Sequence, residues 1–354
     1  MLSAKEVKRF ALERGADLVG IASIERFDGA PAHMHPASIY PEAKSVVVIA
    51  LRIPRGTLRG VEEGTNWVSY TYFGYHGLLN SFFLPKVVYE VACFIEDHGF
   101  EAVPYYPGVP EAQPPRRPLR EDFPPPDVEL QVRIAAFAAG LGEIGWSKVF
   151  LTKRFGPRQR LAAVITDAPL EPDPIVPPGT ICDRCMSCVE GCPANAIPHI
   201  SEGKVVKIEV AGYEVQWADV DMGKCCLCYH GLDKRVSPFL ARDCPGLRFD
   251  VRLQECSEEE AYKLCWTLST RTWRKTHEFP SGFIVEGHAM LQKWGVGGSY
   301  GICVARGCIR SCTDHLERTG RIEQRFESGP FIRRPRWLLS LEGTPVEEAS
   351  FSHE

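Results

Sequence analysis

The first 170 residues alternate between two hydrophobic rhythms. Val7, Phe10, Ala11 and Leu12 recur at helical spacing, and Leu84 to Asp97 repeats that rhythm before Gly99. Between and after them lie runs with no polar interruption. "DLVGIA" (residues 17–22), "SVVVIAL" (45–51) and "LAAVIT" (161–166) each read as a strand, and "EAVPYYP" after Gly99 looks extended. The adjacent valines of the second run fit a strand covered on both faces. Val128 to Ala139 is a further apolar helix candidate, running into "GLGEIG" at residues 140–145. Strands alternating with helices predict an α/β (α+β) layered fold.

Local signals punctuate this pattern. Ser3 and Glu6 form the S-x-x-E signature of a capped helix start, and Gly15 suits its stop. Residues 107 to 127 contain eight prolines, so this stretch is a long irregular loop of the kind that becomes a lid or binding loop. After Pro169 the composition shifts and cysteines accumulate. A boundary near Pro178 divides the chain into 1–178 and 179–330, the second part carrying an insertion at about 229–298. Residues 331–354 read as a frayed tail.

Composition narrows the function classes. The formal net charge of −4 gives no footprint for a polyanion, so nucleic acid is not an expected partner. No apolar run is long enough to span a bilayer. The N-terminal stretch shows neither an apolar signal core nor a twin-arginine signal, so a cytoplasmic location is expected. Fourteen cysteines in such a chain point to metal or redox chemistry rather than to disulfides.

The cysteines carry the strongest motif. Cys182, Cys185, Cys188 and Cys192 stand at C-x2-C-x2-C-x3-C with Pro193 behind them. Three such thiolates wrap one 4Fe–4S cube, while the fourth cysteine of the run ligates the other cube of a two-cluster ferredoxin. A second group must therefore exist, and Cys303, Cys308 and Cys312 supply it, less regularly, with Thr313 where a proline is expected. By reciprocity, Cys312 joins Cys182, Cys185 and Cys188 in the first cluster. Cys192, Cys303 and Cys308 hold the second with one cysteine of "KCCLC": Cys225, or else Cys226 or Cys228. Cys93, Cys244, Cys256 and Cys265 read as buried free thiols.

"AGLGEIGWSKVFLTKRFGPRQRLAAVITDAPL" (139–170), followed at once by the cysteine run, resembles the corrinoid-dependent iron–sulfur reductases, which comprise the reductive dehalogenases and the epoxyqueuosine reductases. "SIYPEAKSVVVIA", "ADLVGIA" and "WADVDMGKC" are similar to the same family. The resemblance implies a nitroreductase-like corrinoid-binding domain fused to a two-cluster ferredoxin-like domain. It implies cobalamin and two 4Fe–4S clusters as cofactors, a low-potential donor such as ferredoxin or flavodoxin, and a small organic substrate reduced at cobalt. A ferredoxin-like electron carrier, or a corrinoid carrier without turnover, is the alternative.

Within that resemblance Gly140, Leu141, Gly142 and Gly145 become candidates to approach a flat cofactor closely, or else a simple turn. The proton donor is sought among Tyr70, Tyr72, Tyr75 and His76 of "SYTYFGYH", with Lys148 or Arg158 as the basic neighbour, or at Asp127, near the place of the aspartate donor of epoxyqueuosine reductases.

Overall fold

A computed structural model describes residues 2–63, 65–66, 68–75, 77–105, 118–124, 126, 128–229, 255–261, 263–264, 273–274, 283–284 and 302–328. The chain starts with helix α1 (Ala4–Glu13) and strands β1 (Leu18–Ser23) and β2 (Ser45–Arg52). Helices α2 (Arg59–Glu63), α3 (Val68–Phe73) and α4 (Leu84–Glu96) follow, then β3 (Ala102–Tyr105) and α5 (Val132–Ala138). A two-residue hairpin, β4 (Glu143–Ile144) and β5 (Phe150–Leu151), precedes the long strand β6 (Gln159–Thr166).

Four strands form the central sheet in the order β1-β2-β6-β3, and every pairing in it is antiparallel. The register sets Val47 opposite Val164 and Ile49 opposite Ala162. Because side chains alternate across a strand, each long strand feeds two layers. Val47, Ile49, Ala162 and Val164 pack with Val7 and Ala11 of α1 and Val87, Val91 and Ile95 of α4. Val46, Val48, Ala163 and Ile165 pack with Ala135, Ala136 and Phe137 of α5. Each fully buried aliphatic side chain contributes about 1.5–3 kcal/mol. The valine run is thus covered on both faces, as the sequence predicts. The direction of the strands is not the parallel one that a β-α alternation favours: burial on two faces records helical layers, not strand polarity.

The Ser3 cap is formed as read. Its hydroxyl accepts from the Glu6 N–H at 3.3 Å, and the Glu6 carboxylate accepts from the Ser3 N–H at 2.9 Å. Phe10 of α1 stacks on Phe94 of α4 with ring centroids 4.1 Å apart.

Beyond β6 come the cysteine loop, the single turn α6 (Ser187–Glu190), the hairpin β7 (Val205–Val210) and β8 (Tyr213–Ala218), helix α7 (Met222–Tyr229) and helix α8 (Cys308–Arg318). The apolar cluster on the α1/α4 side continues into this half through Met186, Ala194, Ala196, Ile197, Ala305 and Ile309. Asp127, His76, Cys244, Cys265, most of the proline-rich stretch, most of the insertion and the tail lie outside the described residues.

Candidate iron–sulfur centre

The run from Cys182 to Cys192 is a loop shaped by unusual backbone. Arg184 and Met186 adopt left-handed conformations, φ 55° and 61°, and Met186 precedes the first turn of α6. Non-glycine residues hold such angles only where their surroundings fix them, and functional sites are where they gather. The loop turns its sulfurs inward except at Cys185, which is exposed; Cys188 and Cys192 are buried.

Helix α8 brings the distant cysteines to this loop. It packs against α6 at Gly191, where a side chain would collide with Ser311, so only glycine permits the approach. Cys308 opens α8 and Cys312 lies one turn later. Burial pushes the Cys312 thiol well above its ordinary range, and the nearby Cys188, Cys182 and Cys185 thiols push it further. For Cys308 the cause is again burial, then Cys225 and Cys192. Electrostatically, Cys312 is thus coupled to Cys188, Cys182 and Cys185, and Cys308 to Cys225 and Cys192 first, with Cys188 and Cys312 after them.

Helix α7 completes the second set. The Asp221 carboxylate caps it by accepting from the Lys224 N–H at 2.9 Å. Cys225 and Cys228, three residues apart, share one helical face. Burial raises the Cys225 thiol to about 12, and the Cys192, Cys228 and Cys226 thiols push it the same way. The neighbouring Cys228 thiol, with burial, pushes the Cys303 thiol well above its ordinary range. Five sulfurs thus meet here: Cys192, Cys225, Cys228, Cys303 and Cys308. Cys226 stands on the same helix, half-buried.

The donor set can be tested against an iron–sulfur cluster. Thiols crowded in an apolar setting resist ionisation, since each thiolate would be desolvated and repelled by its neighbours. Burial and the Cys182 and Cys185 thiols raise Cys188 to about 12. Iron removes that conflict by binding sulfur as thiolate. Backbone N–H groups already point at sulfur: Trp146 to Cys182 at 3.5 Å and Ala196 to Cys192 at 3.4 Å. N–H···S contacts of this kind tune cluster potentials. Both cysteine sets fit the group.

The residues sought around a second cofactor are placed differently. Gly140, φ 71°, has the Pro174 carbonyl where a side chain would stand; Gly142 faces the Leu151 carbonyl; Gly145 faces the Leu151 side chain. Their space is filled by the chain itself, so this segment, with half-buried Leu141 beside it, does not fit a cradle for a flat corrinoid ring. Its chemistry lies in a residue that the sequence reading passed over. Buried Glu143 accepts from the backbone N–H groups of Gly179 at 2.5 Å, Cys182 at 2.6 Å and Ile181. The only advance signal was an acid inside an otherwise apolar glycine run.

The candidate proton donors separate. The Tyr75 hydroxyl is buried and donates to the Pro157 carbonyl at 2.8 Å, and burial pushes its pKa far above the ordinary range, although Arg158 and Arg160 oppose that shift. A tyrosine so placed is a weaker acid than a solvated one. Tyr70 is likewise buried, beside Cys303. Tyr72 is half-buried against Phe73. Lys148 occupies the left-handed position, φ 64°, in the β4–β5 turn. Arg158 is fully buried, its guanidinium donating to the Ile53 carbonyl at 2.9 Å and to Gln324 at 2.7 Å. Asp183, Cys185 and His315 also converge at the surface, where Asp183 accepts from His315 at 2.9 Å and pairs with Arg321 at 3.1 Å.

No protein-family model matches the chain. The tetrachloroethene reductive dehalogenase of Dehalobacter restrictus is 33% identical over 149 residues, 40% of this chain and 23% of that protein. The epoxyqueuosine reductase of Listeria monocytogenes is 26% identical over 182 residues, 49% of this chain and 40% of that protein. The match thus spans less than half the length of either relative. A solved epoxyqueuosine reductase, with an epoxyqueuosine-modified tRNA-Tyr stem loop, superposes with a TM-score of 0.46 at 17% identity, covering 90% of this chain and 82% of that one.

Proposed function

We infer that this chain, a relative of the reductive dehalogenases and the epoxyqueuosine reductases, is an iron–sulfur reductase that relays electrons through two 4Fe–4S clusters. The observation that carries the reading is the gathering of its cysteines into two sets that exchange one member each. Cys182, Cys185, Cys188 and Cys312 hold the first cluster; Cys192, Cys225, Cys303 and Cys308 hold the second, with Cys228 adjacent. When bound, the clusters supply one-electron relay at low potential.

The residues of the chain define the route's two ends. Cys185 is the exposed member of the first set, so an external low-potential donor such as ferredoxin or flavodoxin approaches there. The second set is buried against the sheet half, where Tyr70 neighbours Cys303 and the Tyr75 hydroxyl donates to the Pro157 carbonyl. Trp146 and Ala196 hold their N–H groups toward cluster sulfurs and help to fix each loop.

Kinship supports cobalamin as a further cofactor, but residues 140–145 do not fit it. The double kinship also removes the ground for excluding nucleic acid. A halogenated small molecule and an epoxide borne on tRNA are the two substrate classes to be tested. No helix among the described residues is long and apolar enough to cross a membrane.

Anaerobically purified protein should contain about eight iron atoms per chain, twice one cube, and give two electron-paramagnetic-resonance signals on reduction. A reproducible value near four per chain removes the second cluster and sinks the two-cluster reading. Absorbance of cobalamin-supplemented protein, and turnover with each substrate class under a reduced donor, separate the reductase from an electron carrier.

A further inference from the structure

The segment that holds Glu143 is built around the first cysteine set. Glu143 sits on β4, which is pinned to β5 by the packing of Gly142 and Gly145 on Leu151. Its two carboxylate oxygens take the N–H groups of Gly179, Ile181 and Cys182, the entry to the cysteine loop. Three residues on, Trp146 sends its backbone N–H to the Cys182 sulfur and its ring N–H to the Pro198 carbonyl at 3.0 Å. The Arg184 guanidinium lies over the same ring, 5.8 Å from its centre. The hairpin thus touches the loop at its entry, within it at Arg184 and beyond its exit.

A buried carboxylate is a costly choice for such a contact. Hydroxyl or amide caps serve one or two N–H groups, whereas two anionic oxygens can serve three. A charge buried beside a redox centre also acts electrostatically. Reduction makes a cluster more negative, and a neighbouring anion opposes it.

We propose that Glu143 is the positioning residue of the first cluster, fixing the loop that carries Cys182 and holding that cluster's reduction potential low. The proposal rests on the two-cluster reading above. It is tested on full-length, anaerobically reconstituted Glu143→Ala and Glu143→Gln by iron analysis and by redox titration followed by electron paramagnetic resonance. Glu143→Ala removes all three acceptor contacts, so iron should fall from about eight to about four per chain, with the first signal lost and the second unchanged. Glu143→Gln keeps the shape and the oxygen facing Ile181 and Cys182 but removes the charge. It should retain iron while the first midpoint potential rises and the second stays put. Where Glu143→Ala does not fold, Glu143→Gln decides. Wild-type iron content with both midpoints unmoved in Glu143→Gln overturns the proposal. Absence of iron from the wild type overturns the two-cluster reading instead.

Discussion

On either side of the connection at residues 169–181 the chain reaches order by different means. In the sheet half, β2 and β6 bury Val46 to Ala50 and Ala162 to Ile165 against helices, and apolar side chains do the organising. In the cysteine half, short elements and loops are placed by polar contacts: Glu143 to three backbone N–H groups, Asp221 to the α7 start, Trp146 to Pro198. The seam between the halves is polar as well. Arg55 pairs with Glu317 at 2.6 Å, both 5% exposed, and Arg310 of α8 pairs with Glu62 at 2.9 Å. A layer of interchangeable hydrophobes tolerates drift, whereas directional contacts each depend on one residue.

The sharpest way to break this contrast is in the cysteine half. Cys312→Ala should abolish the signal of the cluster that Cys182, Cys185 and Cys188 hold and leave about four iron atoms per chain. Loss of the other signal instead would reverse the proposed exchange. Next, Cys225→Ser should remove the second signal while Cys228→Ser keeps it; the opposite result makes Cys228 the ligand. At the seam, Glu317→Ala removes the carboxylate paired with buried Arg55, which keeps Ser328 and the Phe326 ring beside it, and should lower stability by about 3 kcal/mol, read from urea unfolding followed by tryptophan fluorescence. A loss below about 1 kcal/mol would show the pair behaving as a solvated one. The smallest effect belongs to the other half: Ser3→Ala removes one helix cap, costs about 1 kcal/mol in the same assay, and leaves iron content unchanged.

Legibility follows the same division. The strands near residues 17, 45, 102 and 161, the α1 cap and α4 are visible in the sequence because they rest on local chemistry and on periodic burial. Helix α5 is shorter at its start than the apolar pattern suggests: Val128 to Gln131 lie outside it, and Gln131 is extended. The antiparallel sheet was not legible, because strand direction is set by the connections, which leave no periodic mark. In the site, the run from Cys182 announces itself by spacing alone. The gathering of Cys312 beside that run could be argued only from the ferredoxin rule, and the Gly191–Ser311 approach that permits it has no local signature. Glu143 was hidden for a related reason. Its three partners lie more than 35 residues along the chain, and nothing near residue 143 predicts them. The glycines around it looked available to a ligand only because their occupants, Pro174 and Leu151, are set by tertiary packing.

Cys308 and Cys312 stand on successive turns of one rigid rod, roughly 6 Å apart along its axis, and each turns to a different cysteine set. With a cluster in each set, as proposed, α8 would carry one ligand of both, so loss of either cluster would free part of the same helix.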